Sequence, residues 1–220
     1  MKVLFVYATQ TECHAVRPRL DSLAGSLGIQ VDHLITGIGG VATTHHLTLA
    51  LQKQAYDNVI NLGVAGCFTR DYALGDAVEI TRDCFSELGA ESEDGFLPLA
   101  HLGLPEGSGV EASAGWIEPQ PPEWARPLEL PRLSGISVNT VHGVQSSIDH
   151  VVKLYHPQVE SMEGASVFWV ARQMQVSCAQ MRTLSNYVTV RKRAEWKLDL
   201  ALRNLSQSAE HCLNCLHHAD

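Results

Sequence analysis

Two glutamates stand just after predicted strands, where an α/β chain keeps its chemistry: Glu12, beyond the apolar run Lys2-Val3-Leu4-Phe5-Val6-Tyr7, and Glu163, in Ser161-Met162-Glu163-Gly164-Ala165. Glu163 separates a short strand from an apolar helix. A carboxylate there is either a helix-terminal charge favoured by the macrodipole or an acceptor for two vicinal hydroxyls. Glu12 is either a solvated loop residue or a general base, a role that needs hydrogen-bond reach to the reacting water and an ionised carboxylate. Asn186, in Ser185-Asn186-Tyr187 after the last predicted strand, either caps a turn or offers a neutral amide to a ligand.

Two other patterns invite chemistry and do not sustain it. Gly37-Ile38-Gly39-Gly40 lies between a strand and a helix as a dinucleotide fingerprint would, but Thr43 occupies the place of the third glycine. The next strand also lacks the acidic residue that would hold an adenosine ribose, so these glycines read as tight turns. The ending His211-Cys212-Leu213-Asn214-Cys215-Leu216-His217-His218 has ligand types for zinc or a redox pair. It lacks a second pair at finger spacing, and it closes the chain instead of opening an early helix, so it reads as the frayed end of a terminal helix. No metal and no cofactor is expected.

The elements that must position these residues follow from periodicity and punctuation. Strands are expected at 2–7, 31–36, 58–63, 76–81, 134–138, 158–161 and 178–184, and helices at 41–54, 144–155, 163–174 and 193–213. A helix interrupted or bent at Pro18 joins the first two strands. Val64-Ala65-Gly66-Cys67-Phe68 reads as a loop. The segment 95–131 holds seven of the nine prolines and reads as a surface excursion within one domain spanning 1–220. Strands alternating with helices make this an α/β fold with a mixed, largely parallel central sheet flanked by helices, whose ligands sit at the C-terminal strand ends.

Composition bounds the partners. With 220 residues and 45% hydrophobic side chains the chain can bury a core. Its formal net charge of -8, with only a short Arg191-Lys192-Arg193 basic run, gives little attraction for nucleic acid or a membrane surface. No apolar run has the length of a membrane span or secretory segment, so a cytoplasmic location is expected, with its six cysteines reduced.

Glu160-Ser161-Met162-Glu163-Gly164-Ala165 resembles the signature of the purine nucleoside phosphorylase and nucleosidase superfamily. The resemblance extends through Thr36-Gly37-Ile38-Gly39-Gly40-Val41, Asn61-Leu62-Gly63-Val64-Ala65-Gly66 and Gly75-Asp76-Ala77-Val78, and covers nearly the whole chain apart from the proline-rich excursion. Within the superfamily the sequence is most similar to the futalosine hydrolase family, an enzyme family of an alternative menaquinone route. Val138-Asn139-Thr140-Val141-His142-Gly143 and Arg182-Thr183-Leu184-Ser185-Asn186-Tyr187-Val188, with Arg191 and Trp196 behind it, carry that likeness.

The resemblance implies N-glycosidic cleavage of a purine nucleoside in a homo-oligomer, where a neighbouring subunit would close the pocket. It makes Glu12 the carboxylate that activates water, Glu163 the ligand of the 2′- and 3′-hydroxyls and Met162 the residue packed on the ribose. Phosphorylases of the superfamily commonly carry an arginine where this chain has Asn61; without that guanidinium a phosphate dianion lacks its bidentate partner, so hydrolysis is expected. Asn186 replaces the Asp of adenosine-cleaving relatives. An amide only hydrogen-bonds the leaving base, which suits a 6-oxopurine such as hypoxanthine. Gly63, Gly66, Phe68, Val138, His142 and Ser185 are candidates for lining the base or the 5′ substituent, and Arg191 for meeting a benzoate carboxylate on it. A related nucleosidase or phosphorylase acting on inosine-like or methylthioadenosine-like nucleosides, and an inert nucleoside-binding module, are the competing readings.

Overall fold

The computed structural model describes residues 1–93, 95–103, 115–120 and 129–217. Its layers are set by the first strand, β1 (Lys2–Tyr7), in which Val3, Phe5 and Tyr7 enter one hydrophobic cluster and Leu4 and Val6 another. Successive strand residues face opposite sides, so a strand apolar at every position needs a helical layer on each face. Helices α1 (Gln10–Leu27) and α5 (Leu198–His217) cover the first face with Val16, Leu20, Leu205, Ala209 and Leu213. Helices α2 (Gly40–Lys53) and α4 (Gly164–Gln173) cover the second with Leu47, Val167, Phe168 and Ala171. The amphipathic α3 (Gln145–Tyr155) buries Ile148 and Val151.

The other strands are β2 (Gln30–Ile35), β3 (Asn58–Cys67), β4 (Ala77–Arg82), β5 (Gly89–Ser92), β6 (Gly95–Pro98), β7 (Arg132–Ser137), β8 (Val159–Ser161) and β9 (Ser177–Tyr187). A seven-stranded sheet runs β2-β1-β3-β8-β7-β4-β9, and β9 also pairs with β3. The strands from β3 round to β9 therefore close on themselves. Pairing is parallel except at β3–β8 and β4–β9, which matches the mixed, largely parallel sheet expected.

Four boundaries differ from expectation, each for a tertiary reason. β3 continues through Val64–Cys67, expected as a loop, because β9 pairs with it along its whole length; the same pairing draws Ser185, Asn186 and Tyr187 into β9. Helix α1 runs uninterrupted through Pro18. The excursion is not all surface: β6 pairs with β5, and the buried Ile117 bridges Asp83, while 104–114 and 121–128 lie outside the described residues. The chain end is packed rather than frayed, since Cys212, Leu213 and Leu216 of α5 are fully buried against the α1 side of the sheet. His218 lies outside the described residues, among which no group of three His, Cys, Asp or Glu side chains could hold a metal ion.

Candidate active site

The strand ends converge on a polar patch inside an apolar barrel. Asn61 and Gly63 of β3 lie in register beside Gln180 and Arg182 of β9. Alternation puts these four on the same face as Val59 and Cys178, above α2 and α4. Arg182 is buried, and its Nη2 donates to Asn61 Oδ1 at 2.5 Å and to Gln180 Oε1 at 2.8 Å. Its Nε has no partner among the described residues, an unspent donor in a desolvated place.

Glu12 reaches this patch from the first turn of α1. Thr9 caps the helix: its side chain accepts from the Glu12 backbone N–H, while Glu12 Oε2 accepts from Thr9 N at 3.0 Å and Thr9 Oγ1 at 2.7 Å. This reciprocal box satisfies free N–H groups at the helix start and locks the carboxylate. Its other oxygen, Oε1, accepts from Val64 N at 3.1 Å. Gly63 is what lets the groups meet: a Cβ there would lie 2.8 Å from Glu12 Oε1 and 2.5 Å from Arg182 Nη1. Glu12 is thus buried and hydrogen-bonded, not a solvated loop residue.

Glu163 is buried at the N-terminus of α4, and its Oε1 accepts from Gly39 N at 2.9 Å. Gly39 caps α2 with φ of 90°, a left-handed conformation that glycine adopts without strain. The glycine turn that mimics a dinucleotide fingerprint therefore presents its N–H to a carboxylate of the protein itself. Thr43, at the missing-glycine position, is buried with its hydroxyl 3.1 Å from that of Thr36. Burial pushes the Glu163 carboxyl up, the Arg182 guanidinium and the Gly39 N–H pull it back, and the Glu12 charge pushes it further. The two sequence-predicted carboxylates thus share one electrostatic site with Arg182.

Beneath them lies Asp83, fully buried, whose carboxylate accepts from Ser137 Oγ at 3.1 Å and Gln180 Nε2 at 3.2 Å. Gly164 makes room for it, since a Cβ there would fall 2.1 Å from Asp83 Oδ2. Desolvation raises the Asp83 carboxyl to about 6, against the pull of Gln180, Arg182 and Ser137. The unfolded value is about 3.9, so the folded state holds this proton more tightly, and the stability it contributes below about pH 4 is lost as pH rises through about 6. Between about pH 4 and pH 7 the parent is expected to lose up to about 3 kcal/mol relative to Asp83→Asn, which has no proton to lose. Urea unfolding of both proteins checks this; a difference that stays constant with pH would show that folding leaves the Asp83 carboxyl unshifted.

Asn186 faces a second group. Its Oδ1 accepts from Ser185 Oγ at 2.8 Å and its Nδ2 donates to Tyr187 O at 3.3 Å, leaving one amide hydrogen to present to a ligand. Gly66 allows this close approach, a Cβ there lying 3.2 Å from Asn186 Nδ2. Asn186, His142, Arg191 and Trp196 line one small cavity. Arg191 sits 5.3 Å over the Trp196 ring, and Phe68 meets His142 edge-on at 6.4 Å between centroids. Met162 and Val138 line a different, larger cavity of about 620 Å³ with Val41, Thr44, His45 and Phe85. Glu12, Gly63 and Glu163 are therefore brought together, Asn186, His142 and Arg191 share a wall, and Met162, next to Glu163, connects to the large cavity.

Phosphorylase superfamily sequences match the chain over residues 8–219. It is 33% identical to the futalosine hydrolase of Acidothermus cellulolyticus, across 94% of this chain and 88% of that protein. The chain belongs to the phosphorylase superfamily, and within it to the futalosine hydrolase family. Futalosine hydrolase of Thermus thermophilus is 26% identical over 86% of this chain and 84% of its own. In fold, the superfamily member superposes on the 5′-methylthioadenosine/S-adenosylhomocysteine nucleosidase of Colwellia psychrerythraea, solved with adenine, at a TM-score of 0.81 and 18% identity, covering 98% and 96% of the chains. Native futalosine hydrolase of Helicobacter pylori gives 0.74 at 19% identity, covering 100% and 98%.

Sequence reasoning passed over Arg182, Gln180, Asp83 and Glu160 as site residues. One signal was present: an arginine and a glutamine inside the apolar run 178–184 are costly to bury unless paired. The partners that make burial tolerable, Asn61 of β3 and Asp83 just past β4, are distant in sequence.

Proposed function

We propose that the chain hydrolyses the N-glycosidic bond of futalosine, releasing hypoxanthine and dehypoxanthine futalosine in menaquinone biosynthesis. The observation that carries the reading is the convergence of Glu12 and Arg182 beside Gly63, in one electrostatic site with Glu163. Glu12 deprotonates a water held at Gly63, Glu163 accepts the ribose 2′- and 3′-hydroxyls, and Met162 packs on the sugar. The negative charge of Glu163 also favours the cationic ribosyl centre that develops as the bond breaks. Arg182 donates through Nη2 to Asn61 and Gln180 and offsets the charge of a buried carboxylate, Glu163; that negative charge beside it opposes a phosphate dianion and supports water as the nucleophile.

Asn186 supports a 6-oxopurine, because the amide hydrogen left by Ser185 and Tyr187 suits the acceptors O6 and N7. Phe68, His142, Gly66 and Ser185 surround the base. The large cavity beyond Met162 and Val138 has room for an aromatic 5′ extension, whereas Arg191, expected to meet a carboxylate on that extension, lines the separate Asn186 cavity. Ile38 and Val41, 63% and 86% exposed beside this cavity, favour a homo-oligomer in which a second copy covers them. Among the described residues no helix is long and apolar enough to cross a membrane.

The test is hypoxanthine release from futalosine and from inosine, each with and without inorganic phosphate. Free dehypoxanthine futalosine formed at the same rate in both conditions is expected. Phosphate-dependent turnover with a 1-phosphate product would make the chain a phosphorylase, preference for inosine would remove the 5′ extension from the reading, and no turnover would leave a binding module.

A further inference from the structure

We propose that His142 and Glu160 form a proton-delivering dyad for the departing purine, an inference that rests on the nucleosidase reading above. Asn186 can hold the base but has no proton to release. A purine that leaves with the electron pair of its C1′–N9 bond departs as an anion unless a proton reaches it.

His142 is the titratable group built for that duty. Glu160 of β8 is buried, and its two oxygens are both committed to this one residue: Oε1 accepts from the His142 backbone N–H at 3.1 Å and Oε2 contacts Nδ1. A carboxylate so placed fixes the orientation of the ring through Nδ1. It also leaves Nε2 at the opposite end of the ring. His142 lines the same cavity as Asn186, and the edge-on Phe68 ring limits its rotation. The charged and titratable groups facing it are few in kind: Glu160 from β8, then Arg191, Lys192 and Glu195 across the Asn186 cavity, and Glu87, His150 and Tyr155 across the cavity on its other side. Glu87 is occupied with Asn139 and Thr140, so Glu160 is the carboxylate bound to the ring.

The step balances. The C1′–N9 pair departs on the purine, N7 takes the proton from Nε2, and the imidazolium becomes neutral imidazole. Water oxygen bonds to C1′ and gives its proton to Glu12. Both groups return to their starting states by exchange with solvent. His142 is the catalytic residue of the pair and Glu160 positions it.

Two substrates separate this role from a structural one: inosine or futalosine, whose base leaves as an anion unless a proton reaches it, and 4-nitrophenyl riboside, whose phenolate leaves without one. His142→Gln is expected to lower kcat/KM on the purine riboside by about 100-fold or more while staying within a few-fold of the parent on the nitrophenyl riboside. Glu160→Gln should lower kcat on the purine riboside by about 10-fold or more with KM little changed and the nitrophenyl riboside within a few-fold of the parent, because the ring loses the carboxylate that orients it. Equal loss on both substrates in His142→Gln, or an unchanged purine kcat in Glu160→Gln, overturns the dyad while leaving hydrolysis itself intact. A parent inactive on both the purine and the nitrophenyl riboside overturns the nucleosidase reading and the dyad with it.

Discussion

Glu12→Gln is expected to lower kcat for futalosine hydrolysis by about 10²–10⁴-fold while leaving the affinity for hypoxanthine within a few-fold of the parent. The amide has the same size and keeps one oxygen for Thr9 N and the Thr9 hydroxyl, the partners that form the cap, while the Val64 N–H that now meets Oε1 loses its acceptor. The α1 cap and its packing therefore survive, and the lost property is basicity. Steady-state turnover together with calorimetric binding of hypoxanthine reads the two apart. Turnover within a few-fold of the parent would remove Glu12 as the base. A parallel loss of hypoxanthine affinity would mean the cap has been disturbed.

Glu163→Ala should weaken ribosides much more than the free base. Two charge-assisted hydrogen bonds to the diol disappear with the carboxylate, at a cost of about 1.5–3 kcal/mol, or roughly 10- to 150-fold. The purine contacts proposed at Asn186, at the end of β9, would be untouched. Equal loss for inosine and hypoxanthine would count against the ribose role and point to collapse of the Gly39 turn, whose N–H now bonds the carboxylate. The pH profile supplies a second readout. Burial holds the Glu163 carboxyl above the ordinary glutamate range in spite of Arg182 and Gly39. If the ionised form binds the diol, activity is present above that raised pKa and falls as pH drops through it, so the acid limb of kcat/KM should lie above the range of an exposed glutamate.

Sequence by itself determined the layered α/β plan, because β1 is apolar on both faces and can be stable only between helical layers. It also determined the two carboxylates, since Glu12 and Glu163 stand at strand–helix junctions where polar residues interrupt apolar patterns. The departures at Asn61 and Asn186 were legible only against the superfamily pattern that the sequence resembles. Their opposite fates were not: Asn61 is spent holding Arg182, whereas Asn186 retains a hydrogen for a ligand.

Only the tertiary structure decided which polar residues belong to one site. Arg182 and Glu12 are far apart along the chain, and it is the parallel pairing of β3 with β9 that sets the guanidinium beside Gly63 and within reach of the α1 cap. That pairing also made strand out of Val64–Cys67 and Ser185–Tyr187, whose glycines and polar side chains read locally as loops. Local pattern reports which face a side chain takes on its own element. Strand neighbours, and hence the partners that make a buried Arg182, Asp83 or Glu160 tolerable, depend on closure of the sheet, which is a property of the whole chain.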